Sequence, residues 1–215
     1  MAVKKTSIMI VDDHTLIRET WSFLLGKNEN FDVVAECGEG ARAIELARDR
    51  RPDVILLDIN MAPMSGFDVL KMIRKYSPSS KIIGVSMHSQ PAYAKKMLRL
   101  GAKGYVTKNS PRQEMLEAIA EVSNNRIFIC QEVKNILSDQ LLNGDQPNAD
   151  INNLSDREMQ IVRALKEGLS SKEIASSISV SLKTVEVHRH NILKKLKLKN
   201  SSKLVNFIYS NAGMF

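Results

Sequence analysis

The order of hydrophobic and polar positions predicts two parts of different character. Up to about residue 125, short aliphatic runs alternate with stretches whose apolar residues recur every three to four positions. The runs predict strands buried on both faces, and the longer period predicts amphipathic helices. This alternation is typical of an α/β fold with a doubly wound, five-stranded parallel sheet. The predicted strands are Ser7–Val11, Val33–Cys37, Val54–Leu57, Ile82–Ser86 and Gly104–Val106. The predicted helices are Thr15–Gly26, Gly40–Arg50, Gly66–Tyr76, Ala92–Gly101 and Pro111–Ser123.

The pattern changes after residue 126. The segment CQEVKNILSDQLL predicts one helix, and NGDQPNADINN is rich in the residues typical of a linker. From Leu154 onward the sequence shows helical periods without strand signals. The helices predicted there are Asp156–Glu167, Ser171–Ser177, Leu182–Leu196 and Ser202–Ala212. We therefore predict an α/β domain over 1–126, a linker with a helix over 127–153, and a small all-α domain over 154–215.

Composition indicates a globular protein without a membrane segment. Hydrophobic residues make up 43% of the chain and charged residues 26%, which is ordinary for folded domains. The longest aliphatic runs, Ile8–Val11 and Val54–Leu57, are far shorter than the roughly 20 residues that cross a bilayer, and no signal-peptide pattern opens the chain. Cys37 and Cys130 have no CxxC spacing, so we expect reduced thiols in a cytoplasmic protein.

The positive charge is concentrated near the C-terminus. The whole chain carries a net charge of +7. Residues 153–215 hold 11 Lys and Arg against 5 Asp and Glu, whereas residues 1–125 hold 18 against 15. A basic excess confined to one domain predicts a polyanionic partner for that domain alone.

The ends of the predicted strands carry an unusual set of polar residues. Asp12 and Asp13 follow the first strand, Asp58 follows the third, Ser86 ends the fourth and Lys108 follows the fifth. Because ligands of doubly wound sheets bind outside these strand ends, we expect the five side chains to share one crevice. Clustered carboxylates favour a hard cation such as Mg²⁺, and the lysine and hydroxyl suit a phosphoryl group. A single strand-end aspartate is often only a helix N-cap, an alternative that stays open for Asp13.

The C-terminal segment has the pattern of a helix-turn-helix. Two helices are joined by a short turn, SVSLK, and the second ends in the basic run KKLKLK. On that second helix Val185, Ile192 and Leu196 should pack inward with Leu193, and a separate stripe should enter the major groove of DNA. The alternative is a solvated basic face on a core helix. The predicted DNA-binding residues are Lys172, Lys183, Thr184, Glu186, Val187, His190, Lys194 and Lys195.

Four motifs in the first domain resemble the receiver domain of two-component response regulators. They are MIVDDHTLIRE, VILLDINM with the following MSG, IIGVSMH and GAKGYVTK, and they stand in the family's order between residue 5 and about residue 125. The resemblance implies a flavodoxin-like fold with Asp58 as the phosphoacceptor. It also implies that Mg²⁺ is held by Asp12, Asp13, Asp58 and the backbone carbonyl of Asn60.

The same resemblance assigns the switch residues. It makes Ser86 the switch hydroxyl, Lys108 the phosphoryl clamp and Tyr105 the aromatic side chain that changes rotamer. The sequence departs from the family in the loop after the phosphoacceptor, where Ala62 stands at the usual proline position and Pro63 comes one residue later. Since proline fixes φ and lacks an N–H, we expect this loop to differ locally while the site is kept.

The motifs SSKEIA, KTVEVH and ILKKL resemble the DNA-binding domain of LuxR-type, or NarL/FixJ, regulators over about 154–207. Relatives often carry lysine at the positions of Glu186 and His190, so we expect a different base preference here. A glutamate repels phosphate but accepts a hydrogen bond from cytosine N4. By the same resemblance the last helix mediates dimerisation. The residues implied are Leu204, Val205 and Ile208.

These features predict a cytoplasmic transcription factor. A sensor histidine kinase would phosphorylate Asp58, and the phosphorylated protein would bind double-stranded DNA as a homodimer. We expect no enzymatic activity beyond phosphotransfer to Asp58 and its own dephosphorylation. Two alternatives are a phosphatase or phosphotransferase with an aspartyl intermediate and a module whose tail binds protein or RNA. Enzymes of the first kind that have a haloacid-dehalogenase pattern need a second aspartate two residues after the first, where this chain has Asn60.

Overall fold

The computed structural model of the protein describes residues 5–142 and 154–210. The chain divides into two compact units, Met1–Asp139 and Gln140–Phe215. The first is built of strands and helices and the second of helices, which confirms the predicted fold class. Within the described residues no helix has the length and apolar character needed to cross a membrane.

The first unit is organised around one parallel sheet. Its strands are β1 (Thr6–Val11), β2 (Phe31–Cys37), β3 (Val54–Asp58), β4 (Lys81–Ser86), β5 (Gly104–Thr107) and β6 (Phe128–Ile129). The helices up to residue 142 are α1 (Thr15–Gly26), α2 (Gly40–Arg50), α3 (Gly66–Tyr76), α4 (Pro91–Arg99), α5 (Arg112–Ser123) and α6 (Gln131–Leu142). The spatial order is β2-β1-β3-β4-β5-β6. Successive strands are therefore added to one side of β1 and then to the other, and ligands of such sheets bind at this switch between β1 and β3.

Burial explains why these segments form central strands. Every residue of β3 is buried, as are the last four residues of β1, because helices cover both faces of the sheet. Right-handed connections place α1 on one face and α2, α3 and α4 on the other, where α2 packs against α3. Because all the strands are parallel, their carboxyl ends meet along one edge of the sheet. This edge carries the polar residues.

The sheet contains one strand more than the sequence predicted. Phe128 and Ile129 pair in parallel with Gly104 and Tyr105, beyond the predicted end of the α/β domain at residue 126. The five-stranded prediction is therefore wrong by one edge strand. Two residues are too few to show a strand period, and the preceding Asn125 turns the chain with φ 63°.

Helix α6 is attached to the sheet through its first turn. The carboxylate of Glu132 accepts a hydrogen bond of 2.8 Å from the hydroxyl of Thr107, the last residue of β5. Val133 beside it is fully buried. This helix agrees with the one predicted within 130–142, while the linker predicted over 143–153 lies outside the described residues.

The second unit contains the four helices that the sequence predicts. They are α7 (Asp156–Lys166), α8 (Ser171–Ser177), α9 (Leu182–Lys195) and α10 (Ser201–Ser210). Serines cap the first three: Ser155 and Ser170 each form a capping box, and Ser181 accepts a hydrogen bond from a backbone N–H. Gly168 follows α7 with φ 83°, which suits a helix C-terminus. Aliphatic side chains from all four helices form the core.

Candidate functional site

The strand ends bring three of the predicted residues into direct contact. Asp12 follows β1, Asp58 ends β3 and Lys108 follows β5. The ammonium nitrogen of Lys108 lies 2.8 Å from a carboxylate oxygen of Asp12 and 2.8 Å from one of Asp58. The exposed fractions of the side chains are 5% for Lys108, 5% for Asp12 and 1% for Asp58. One buried cation is thus shared by two buried carboxylates.

Burial and hydrogen bonding together set the protonation of Asp58 and Lys108. Burial raises the pKa of Asp58 above its ordinary value, because the cost of desolvating the carboxylate outweighs hydrogen bonds from Lys108 and from the Asn60 backbone N–H. Burial alone would lower the pKa of Lys108, but its hydrogen bonds to Asp12 and Asp58 raise it. Lys108 therefore stays protonated. A second cation nearby would favour the ionised form of Asp58.

Four side chains offer metal-binding atoms at this edge. Asp12, Asp13, His14 and Asp58 present ligand atoms that all lie within 4.8 Å of one another. The three carboxylates supply oxygen ligands of the kind that Mg²⁺ prefers. Asp13 is 34% exposed, so the site is open to the water that Mg²⁺ usually keeps. The residues present fit the ion that the receiver resemblance implies.

His14 is a residue of this site that the sequence reasoning missed. Its Nδ1 lies 2.8 Å from a carboxylate oxygen of Asp13, 3.2 Å from one of Asp12 and 3.9 Å from one of Asp58. The available signal was its position, directly after two aspartates at a strand end.

Asn60 contacts the carboxylate of Asp58 through its backbone. Its backbone N–H donates to Oδ1 of Asp58 at 3.0 Å, and its side-chain amide nitrogen lies 2.9 Å from Nε2 of His88. The His88 ring stacks on Tyr93 with 4.2 Å between ring centroids. Asn60 and His88 therefore form a polar wall beside the site, built from the loops that follow β3 and β4.

The loop after Asp58 contains the displaced proline. The bond between Ala62 and Pro63 is cis, and the Gly66 backbone N–H donates to the Ile59 carbonyl at 2.9 Å. A Cβ on Gly66 would collide with the backbone carbonyl oxygen of Asp58. Glycine is thus required for α3 to begin this close to the phosphoacceptor position.

Ser86 and Tyr105, the predicted switch pair, are both fully buried. Ser86 follows Val85, which pairs with Asp58 across the sheet. The Tyr105 hydroxyl donates to the His88 backbone carbonyl at 2.5 Å, and the His88 N–H donates to the Ser86 hydroxyl at 3.1 Å. Burial raises the pKa of Tyr105 well above its ordinary value. Tyr105 therefore points inward, and its protonated hydroxyl is hydrogen-bonded to the loop after β4.

Helix α9 presents one buried and one exposed face. Val185, Ile192 and Leu196 are buried in the core, where the sequence pattern placed them. Thr184 is half-buried, and its hydroxyl lies 2.8 Å from that of the N-cap residue Ser181. The other face is open to solvent. Its exposed residues are Lys183, Glu186, Val187, His190 and Lys194, and Lys172 is exposed on α8.

Lys195 has a partner inside its own unit. Its ammonium nitrogen lies 2.7 Å from the carboxylate of Glu158, whose side chain is 3% exposed. Burial alone would raise the pKa of Glu158, but hydrogen bonds from Lys195 and from the N-cap Ser155 lower it. This ion pair is structural, and the DNA contact of Lys195 stays a prediction.

Two of the three residues assigned to dimerisation lie in the core. Leu204 and Ile208 are 0% and 1% exposed, whereas Val205 is 38% and Tyr209 60% exposed. The prediction is wrong for Leu204 and Ile208, because they form the i, i+4 pair that packs α10 onto its own unit. Val205 and Tyr209 form the corresponding exposed pair.

Comparison with protein families gives two matches in the order that the motifs predict. Residues 8–120 match the response regulator receiver domain. Residues 152–208 match the bacterial regulatory proteins of the luxR family. The first match contains Asp12, Asp13, Asp58 and Lys108, and the second contains all of α9.

Curated proteins resemble the chain over nearly its whole length. The oxygen regulatory protein NreC of Staphylococcus epidermidis is 33% identical over 207 residues, which cover 93% of this chain and 95% of that protein. The nitrate/nitrite response regulator protein homolog of Haemophilus influenzae is 33% identical over 194 residues, covering 90% and 91%.

Solved structures agree with this relationship. RcsB of Salmonella enterica serovar Typhimurium, bound to a promoter in the presence of phosphomimetic BeF3⁻, is 25% identical with a TM-score of 0.70, covering 95% of this chain and 98% of that one. A LuxR-family response regulator from Aurantimonas is 29% identical with a TM-score of 0.62, covering 65% of this chain and 99% of that one. A receiver domain followed by a LuxR-type domain, shared with full-length relatives, shows that this chain belongs to the NarL/FixJ family of two-component response regulators.

Proposed function

We propose that a sensor histidine kinase phosphorylates Asp58 and thereby controls DNA binding by the C-terminal domain. One observation carries the proposal. Asp58 is 1% exposed, yet it lies 2.8 Å from the Lys108 ammonium and within reach of two further aspartates. Burial alone would leave such a carboxyl protonated and unreactive, whereas cations on both sides would make it a nucleophile.

Each residue around Asp58 has a part in phosphoryl transfer. Asp12, Asp13, Asp58 and the backbone carbonyl of Asn60 would hold Mg²⁺, which supplies charge neutralisation on the phosphoryl oxygens. A carboxylate oxygen of Asp58 forms the new bond to phosphorus as the bond to the phosphohistidine nitrogen of the kinase breaks. Lys108 then exchanges a carboxylate for a phosphoryl oxygen as its hydrogen-bond acceptor.

The switch would follow from the added charge, which is about −1.5 to −2 at neutral pH. A phosphoryl oxygen on Asp58 is a strong acceptor for the hydroxyl of Ser86. Tyr105 is tied to the same loop through the His88 carbonyl at 2.5 Å. Binding of Ser86 to the phosphoryl group would therefore select the arrangement in which this loop and the inward Tyr105 are held together, at the expense of any arrangement with Tyr105 turned outward.

The output would be homodimeric binding to double-stranded DNA. The exposed stripe of α9, which includes Lys183, Val187 and His190, is available to base edges and phosphates. Val205 and Tyr209 offer an exposed apolar surface to a second copy. We place this activity in the cytoplasm, and we propose no enzymatic activity beyond phosphorylation and dephosphorylation of Asp58.

A DNA-binding measurement with and without phosphorylation tests this function. The protein would be used to select sites from random duplexes, and binding to a selected site would be followed by fluorescence anisotropy. Acetyl phosphate with Mg²⁺ should tighten binding by the wild type and leave Asp58→Ala unchanged. Equal affinity of the wild type with and without acetyl phosphate would contradict the proposed control, and equal binding to RNA would contradict duplex recognition.

A further inference from the structure

The strand-end site contains an imidazole nitrogen beside its carboxylates. Nδ1 of His14 lies 2.8 Å from a carboxylate oxygen of Asp13, 3.2 Å from one of Asp12 and 3.9 Å from one of Asp58. Among the residues that the structure describes, Asp12, Asp13, His14 and Asp58 form the one cluster of three or more His, Cys or acidic side chains that could hold a metal ion. The ring is 62% exposed, so it can adjust without disturbing the core.

We propose that His14 is a nitrogen ligand of the divalent cation and that the site consequently prefers Mn²⁺ and related transition ions over Mg²⁺. This inference rests on the proposed metal site and adds a ligand to it. Imidazole is a good ligand for first-row transition ions, whereas Mg²⁺ is bound almost entirely through oxygen.

The spacing of the ligand atoms supports direct coordination. In an octahedral site with bonds of about 2.1 Å, neighbouring ligand atoms lie about 3 Å apart and opposite ones about 4 Å apart. The separations of Nδ1 from the oxygens of Asp13 and Asp12 match neighbouring positions, and the separation from Asp58 approaches that of opposite positions.

Lys108 leaves Oδ1 of Asp12 and Oδ1 of Asp13 open to a cation. It approaches Oδ2 of Asp12 and Oδ2 of Asp58, while His14 faces Oδ1 of Asp12 and Oδ1 of Asp13 at short range. Oδ2 of Asp58 is the oxygen that the two side chains share, and His14 lies farther from it, at 3.9 Å. The imidazole and the ammonium therefore approach Asp12 through different oxygens. A cation held by Asp12, Asp13 and His14 would replace the hydrogen-bonding contacts of His14 to these carboxylates and would leave Lys108 its own oxygen of Asp12.

The His14 ring has no other role in the local fold. His14 is the N-cap residue of α1, but its side chain makes no capping hydrogen bond. The backbone N–H, by contrast, donates to Asp12 at 2.9 Å, and any residue at this position keeps that bond. His14→Asn should therefore fold normally, since asparagine is also a favourable N-cap residue. His88, the other nearby histidine, already lies against Asn60 and is 2.9 Å from its amide nitrogen.

Mn²⁺ bound to the full-length protein provides a direct test. Pulsed electron paramagnetic resonance would detect nitrogen bonded to the ion. Equilibrium titrations would give the dissociation constants of Mn²⁺ and Mg²⁺ for the wild type, His14→Asn and the control His190→Asn. We expect a nitrogen signal in the wild type and in His190→Asn that is absent in His14→Asn. The preference for Mn²⁺ over Mg²⁺ should fall by about 10-fold or more in His14→Asn, a loss typical of metal-site substitutions.

The outcomes separate this inference from the proposed function. Mn²⁺ binding without a nitrogen signal, or an unchanged Mn²⁺ preference in His14→Asn, would overturn the role of His14 and leave the aspartate site intact. Tighter Mg²⁺ binding by His14→Asn would also overturn it, because His14 would then compete with the ion. No binding of either ion by the wild type would overturn the metal site itself.

Discussion

Asp58 and Glu158 are both buried carboxylates held by a lysine at 2.8 Å and 2.7 Å, yet their chemistry differs. Glu158 has Lys195 to itself and accepts a backbone hydrogen bond from the N-cap Ser155, so its pKa is lowered. Asp58 shares its lysine with another aspartate, and burial raises its pKa.

The balance of buried charge distinguishes a structural carboxylate from a reactive one. In the C-terminal unit the negative charge of Glu158 is fully compensated by groups of its own domain. At the strand ends more carboxylates than cations are buried together. A metal ion can supply the missing positive charge, and with it the site can accept an anionic phosphoryl group.

Removal of Lys108 should be the most damaging change. Lys108→Met leaves Asp12 and Asp58 without a cation and should lower the free energy of unfolding by about 3 kcal/mol. Urea unfolding of the first unit can be followed by the fluorescence of Trp21, the one tryptophan of the chain. Lys71→Met is the matched control, because Lys71 pairs with an exposed aspartate and should cost less than about 1 kcal/mol. Equal losses in the two variants would refute the buried, shared cation.

Removal of Glu158 should destabilise the second unit by about 2 kcal/mol, because it leaves Lys195 and the backbone N–H of Ser155 without their acceptor. Glu173→Ala is the control. Glu173 closes the same capping box at the start of α8 but is exposed. Hydrogen exchange of α7 and α9 in urea measures both. If Glu173→Ala were as destabilising as Glu158→Ala, the buried ion pair would contribute nothing.

Acid should weaken the second unit through the same group. The pKa of Glu158 in the folded protein lies below its ordinary value of 4.5. Its stabilising contribution is therefore complete above pH 4.5 and is lost as the pH falls through the lower, folded-state pKa. Pulsed hydrogen exchange after incubation at about pH 6 and about pH 3.5 measures this loss. Glu158→Gln should lose less stability over that interval, and an unchanged loss would exclude Glu158 as the titrating group.

The smallest effect is expected where α6 joins the sheet. Glu132→Ala removes the acceptor of the buried Thr107 hydroxyl and should cost about 1 kcal/mol, with faster hydrogen exchange in α6. Glu117→Ala is the control, because Glu117 is exposed on α5 and hydrogen-bonds only Gln113 in the described structure. Protection of α6 that is equal in the two variants would show that Thr107 does not anchor this helix.

Much of the fold follows from the sequence because its signals are local. The aliphatic run Val54–Leu57 is long enough to define a buried strand, and serine N-caps such as Ser155 and Ser170 mark helix starts. Asp58 and Lys108 could be paired before the structure was known, because the carboxyl ends of parallel strands share one edge.

The remaining features depend on contacts between distant residues. β6 consists of Phe128 and Ile129 and takes its conformation from pairing with β5. The faces of α10 could not be assigned from spacing, since Leu204 and Val205 are adjacent and both apolar. The pair of Glu158 and Lys195 joins residues 37 positions apart, which no local pattern reveals.

Intact-mass measurement shows whether Asp58 is phosphorylated. The full-length protein would be incubated with acetyl phosphate and Mg²⁺, beside Asp58→Ala treated in the same way. The wild type should gain the mass of one phosphoryl group, and Asp58→Ala should gain none. An unchanged mass for the wild type, or equal modification of both proteins, would contradict the account.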